Sequence, residues 1–202
     1  MGRRGFVNIE NKIQEEVLRE NFKYGISAIS TKDVAKKLHI SEPVIFAHFH
    51  TKKNLIDSCF RYSWNKLPKD VVFPMSEEDM EDPKVIEKYL EKFRSILAEP
   101  KALVYVNNYF HSPFFDAELS ADVKKDLVDM ISKRIVAYES HDAETIKMII
   151  RSYIKSFISR LAEFASGAVE PTDLNMRLAL GQLLFGAYGM VKFGAKILVP
   201  AK

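Results

Sequence analysis

Helical periodicity runs through almost the whole sequence, and that one feature rules out most folds. Apolar residues recur every three or four positions, and no stretch sustains the strict alternation of a half-buried strand. An all-α chain follows. The spacing predicts helices over 9–24, 31–38, 42–49, 52–66, 84–98, 100–109, 120–140, 143–166 and 172–198. On the first of these, Ile9, Ile13, Val17 and Tyr24 fall near one face, with Leu18 and Phe22 beside it. Boundary residues agree: Gly25 suits a left-handed helix end, and Ser30, Ser41 and Thr51 suit N-caps. Asp33 follows Ser30 at capping-box spacing, and Pro43 falls in a first turn, where its missing N–H costs nothing. Pro68, Pro74 and Pro83 surround the acidic run Glu77, Glu78, Asp79, and 67–83 reads as a linker or surface loop. We therefore divide the chain into a small head, 1–66, and a larger helical domain, 67–202.

The charge is unevenly placed. Residues 1–66 hold 12 Lys and Arg against 7 Asp and Glu, while the rest of the chain is slightly acidic. A basic head on an acidic body suits a head that alone meets phosphates. No stretch approaches the ~20 apolar residues of a membrane span, and Met1-Gly2-Arg3-Arg4 leads into polar residues rather than a secretory segment. Cys59 is the single cysteine, which excludes an internal disulfide and a cysteine-built metal site. The expectation is a cytoplasmic protein.

Within the head, two short helices joined by a tight turn would present the second to a DNA major groove. Val34, Ala35 and Leu38 supply the inner face of the first, and Ile40, Ile45 and Phe49 that of the second. The run from Thr31 through Val34-Ala35, Leu38-His39-Ile40-Ser41 and Val44-Ile45-Phe46-Ala47-His48-Phe49, then Lys52 and Leu55, resembles the TetR family of bacterial regulators. Gly25, Ala28 and Ser30 match as well, and the resemblance extends over about residues 9–57. It implies a three-helix helix-turn-helix head that binds double-stranded operator DNA. Carried position by position, Lys32 matches a DNA contact; Glu42, Pro43, Val44 and Ala47 match positions facing bases and sugars. Phe46 and His48 flank the backbone, and Lys52 matches a phosphate contact. The sequence departs from the family pattern twice: His39 stands where the turn usually has glycine, and Phe46 lacks the hydroxyl of the usual tyrosine. Glu42 is a carboxylate where phosphates are expected, tolerable against a cytosine amino group.

The larger domain is rich in rings. Residues 105–115 include Tyr105, Asn108, Tyr109, Phe110 and His111; Tyr89 with Phe93, and Tyr153 with Phe157, each share a helix face. Two readings fit: a cavity for a small apolar or amphipathic effector, or a plain aromatic core. Gly181, Gly186, Gly189 and Gly194 cluster in the last helix, where glycine costs about 0.8–1.0 kcal/mol against alanine, so close helix approach is expected, within one chain or between two. The resemblance implies a homodimer paired through about 143–165 and 174–197, and a repressor released by its ligand. His111 and His141, with Asp116 and Asp142 nearby, lack metal-ligand spacing. No metal, cofactor or catalytic residue is implied. The alternative is an all-α enzyme or helical interaction protein using the aromatic cavity.

Overall fold

The computed structural model describes residues 3–69, 81–135 and 143–198. The central part of the expected linker, together with His141 and Asp142, lies outside the described residues. Among the described residues the helices are α1 (Arg3–Tyr24), α2 (Thr31–Lys37), α3 (Glu42–Phe49), α4 (Lys52–Lys66), α5 (Pro83–Ile96), α6 (Pro100–Phe110), α7 (Ala117–Ile135), α8 (Ala143–Ala165) and α9 (Asp173–Leu198), with a 3-10 turn at Ile26–Ala28. No strand occurs among the described residues. The chain forms two compact units: Met1–Leu67 with Glu99–Ser120, and Pro68–Ala98 with Ala121–Lys202.

In the first unit, α1 buries Ile13, Val17 and Leu18. Phe22 and Tyr24 are exposed at 40% and 55%, although the same period set them on or beside that face. The inward position of the last turn goes instead to Asn21, whose side-chain oxygen accepts from the Asn108 amide at 3.0 Å. Gly25 then ends the helix at φ 82°, ψ 161°, its N–H bonded to Asn21 O at 2.8 Å. That backbone conformation is open almost only to glycine.

Helix α6 packs on α1 and α4, so 99–120 joins the helix-turn-helix segment in one core. Tyr109 stacks on Phe60 of α4 with centroids 4.2 Å apart and an interplanar angle of 13°, and Phe110 meets Phe60 edge-on. The Tyr105 hydroxyl, fully buried, donates to Ile56 O at 3.0 Å, and that of Tyr109 donates to Asp57 at 2.9 Å.

The second unit is built around Phe93 of α5, which meets Phe157 and Phe164 of α8 edge-on at 5.8 and 5.9 Å. Ile150, Ile154 and Leu161 of α8 and Leu180 and Leu184 of α9 complete this core. Arg177 of α9 clasps Asp173 and reaches Glu87 of α5, tying the helix ends together. No helix among the described residues is long and apolar enough to cross a membrane.

Candidate nucleic-acid interface

The site is assembled by three successive chain reversals. Ser30 accepts the Asp33 N–H at 3.2 Å and starts α2. Its end is a Schellman turn: Ile40 N–H bonds Ala35 O at 3.0 Å, His39 N–H bonds Lys36 O at 3.2 Å, and His39 sits at φ 54°. The expected left-handed residue is thus His39, which tolerates that region better than a branched side chain would. Helix α3 follows with Ser41 as N-cap and Pro43 in its first turn; the Ser41 hydroxyl makes no capping bond.

The third reversal was not foreseen. His50 stands at φ 63°, ψ −46°, with Thr51 N–H bonded back to Phe49 O at 2.7 Å. This is a γ-turn with positive φ, a strained form. It lets one residue separate α3 from the Thr51 cap of α4, whose hydroxyl accepts from Asn54 N–H at 3.0 Å. The only sequence signal for it is that single-residue spacing between Phe49 and a good N-cap.

Ile45 and Phe49 anchor α3 in the core. Pro43, Phe46 and Ala47 are exposed on its other side, with Val44 half-exposed. The polar candidates on α3 are each paired with another helix. The Glu42 carboxylate accepts from the Thr31 hydroxyl and braces α3 to α2. The half-buried His48 ring places Nδ1 3.0 Å from the Glu10 carboxylate of α1. Lys37 is likewise turned to α1, where the Glu20 hydrogen bond holds its ammonium above the usual lysine range. Lys32 and Lys36 are exposed and carry no ion pair among the described residues. Lys52 opens α4, its ammonium 5.7 Å from the centre of the Phe114 ring. Exposed apolar side chains of α3 thus lie in one compact unit with Lys32 and Lys36 of α2 and Lys52 of α4, a composition that suits a groove bordered by phosphates.

The nine effector candidates divide between the units. Tyr105, Asn108, Tyr109 and Phe110 belong to the first, bonded and stacked as described, and His111 is exposed there. Burial pushes the Tyr105 phenol well above its ordinary range, and burial with the Asp57 hydrogen bond raises that of Tyr109. Tyr89, Phe93, Tyr153 and Phe157 belong to the second unit, where Tyr153 tilts against Phe157 at 5.8 Å. Two grooves of that unit, of about 270 and 350 Å³, are lined by other residues, among them Lys125, Lys147 and Arg151 in one and Ser156, Arg160 and Gln182 in the other. Sequence reasoning also missed the chain Tyr109–Asp57–Lys53–Asp116, in which Lys53 bridges two carboxylates at 2.5 and 3.3 Å.

Residues 18–59 match the model of the tetR family of bacterial regulatory proteins. The fold is shared with solved structures across nearly their whole length. A TetR family transcription regulator from Marinobacter aquaeolei VT8 is 17% identical, with a TM-score of 0.61, covering 92% of this chain and 97% of its own. A TetR-like transcriptional regulator from Rhodococcus sp. RHA1 is 14% identical, with a TM-score of 0.55 and coverages of 93% and 95%. A protein from Shewanella sp. PV-4, also 14% identical, gives 0.63 with coverages of 88% and 96%. No curated protein matches the sequence. Residues 18–59 are thus similar to the tetR family of bacterial regulatory proteins, and the all-α fold of the chain is the one these solved structures share.

Proposed function

We propose that this chain is a homodimeric repressor that binds an operator through α3 and is released from it by a small molecule. The observation that carries the DNA-binding part is the outer face of α3, apolar and open to solvent at Pro43, Phe46 and Ala47, accompanied in its unit by Lys32, Lys36 and Lys52. Lys52 is the phosphate contact in this reading. Lys32 contacts the DNA, and Pro43, Val44 and Ala47 face bases and sugars, with Phe46 at the backbone; Glu42 and His48 serve first as braces.

Dimerisation is supported by α9. Leu174, Leu178 and Phe185 are 66%, 57% and 64% exposed. Together with Gly181 they recur at steps of four, three and four, which keeps them on one face of the helix. A methyl group added at Gly181, Gly186 or Gly189 would meet nothing within 4 Å, so no close approach among the described residues accounts for those glycines. A second copy would account for Gly181, which sits inside the apolar stripe. The effector is a small apolar or amphipathic compound taken up among the rings of the second unit, Tyr89, Phe93, Tyr153 and Phe157. The rings of the first unit serve the core of the DNA-binding head. No catalytic role is assigned.

Binding selection from random duplexes, followed by titration of the selected operator at several salt concentrations, tests this function. Lys52→Ala should weaken all duplexes alike and make the salt dependence shallower by about one unit per monomer. No preference among duplexes, or a Lys52→Ala effect confined to one base pair, would end this assignment.

A further inference from the structure

The two polar side chains of α3 are already engaged. Glu42 accepts the Thr31 hydroxyl, and His48 faces Glu10. Every other residue of the helix is apolar: Pro43, Val44, Ile45, Phe46, Ala47 and Phe49. Of these, Ile45 and Phe49 are core, while Pro43, Phe46 and Ala47 are exposed and Val44 is half-exposed. The helix therefore presents a base pair with methyl and methylene groups and no hydrogen-bonding partner.

We propose that α3 reads its half-site through thymine methyl groups, packing Pro43, Val44 and Ala47 against them in the major groove. The inference rests on the DNA-binding reading above and specifies which feature of the duplex is recognised. Among the groups displayed in the major groove, the thymine C5-methyl is the apolar one; guanine, cytosine and adenine display donors and acceptors there. An apolar face pressed on those edges strips their water and returns no hydrogen bond, which is unfavourable. Pressed on a thymine methyl, the same face removes apolar surface from water on both sides. Tying Glu42 to Thr31 contributes in a second way, because it draws the carboxylate of this helix away from the phosphates. Lys32, Lys36 and Lys52 supply the complementary charge for the backbone, so the affinity from phosphates and the discrimination from methyls come from different helices.

The test replaces each thymine of the selected half-site, one at a time, by deoxyuridine, which removes only the methyl group. One or two positions per half-site should lose about fourfold in affinity each, the worth of one buried methyl. In the Val44→Ala protein the thymine-to-deoxyuridine ratio should fall toward one at a single position while the salt slope stays unchanged. Uniform indifference to deoxyuridine in a duplex that is otherwise bound selectively overturns the proposal and leaves the regulator reading standing. Selection of half-sites without thymine overturns it equally. Failure to bind any duplex would remove the DNA-binding reading and this inference with it. A thymine-to-deoxyuridine ratio unmoved in Val44→Ala and Ala47→Gly alike would show that the methyls are sensed elsewhere than on α3 and overturn the proposal.

Discussion

Truncating Leu178 to alanine should weaken the proposed homodimer by at least one order of magnitude. Leu178 leaves 57% of its surface open in the single chain. Fully burying a leucine contributes roughly 1.5–3 kcal/mol, so closing over the exposed part contributes about 1–1.5 kcal/mol. A two-fold interface uses the same residue twice, which doubles the loss to about 2–3 kcal/mol per dimer. At 1.4 kcal/mol per decade the dissociation constant rises roughly thirty- to a hundredfold. Gly181→Leu should act in the same direction by steric means, since Gly181 lies between Leu178 and Phe185 on the exposed stripe. Gly186 provides the contrast. It is off the stripe with open space around it, so Gly186→Ala should leave the dimer intact and gain about 0.8–1.0 kcal/mol from helix propensity. Sedimentation over a concentration series gives the dissociation constants, and thermal unfolding gives the stability change. A wild-type species of only 23.2 kDa at micromolar concentration would refute the argument. So would a Leu178→Ala dimer of unchanged affinity.

Gly25→Ala should destabilise the first unit by about 1–3 kcal/mol, because φ 82°, ψ 161° strains any side chain even though a methyl group meets nothing there. Urea unfolding reads the loss, and an unchanged midpoint would mean that the α1 end is not held in this form. Acid should also weaken that unit through Glu15. Burial pushes the Glu15 carboxyl up, but the hydrogen bonds from Lys66 and Tyr62 outweigh it and hold the carboxyl below its usual range. The stabilisation from Glu15 is complete above the ordinary carboxylate range and is lost as pH falls through the depressed value. In Glu15→Gln that part of the acid limb should flatten, and a superimposable pH profile would exclude the contribution.

Local chemistry made the helix plan legible. The caps Ser30 and Thr51, the prolines at helix starts and the 3.6-residue period act within a few residues, and each appears where the spacing put it. The end of α1 shows where that reasoning stops. Period alone put Phe22 and Tyr24 on or beside the buried face, but the core ends one turn earlier and the inward site is filled by Asn21. An amide belongs there only because Asn108, far along the chain, offers the matching group.

The same limit explains the division of the aromatic residues. Tyr105, Tyr109 and Phe110 carry a helical period that says they are buried, and nothing in the period says against what. Their partners lie on α4: Phe60 stacks with Tyr109 at 4.2 Å and meets Phe110 edge-on, and Ile56 O accepts from Tyr105. The ring contacts are long-range in sequence, and their chemistry is shared with any other pair of rings, so composition could not separate a cavity lining from a core. Polar residues are more informative once paired. Glu42 looked misplaced beside phosphates until Thr31 was seen to hold it, and His48 until Glu10 was found beside it. Both pairings join α3 to a neighbouring helix and leave its outer face to Pro43, Val44, Phe46 and Ala47. In this unit the polar side chains of α3 set its position, and under the proposed DNA-binding reading its apolar side chains are left to read the bases. On that proposal, the duplex with its thymine methyls removed is the sharpest probe of operator choice.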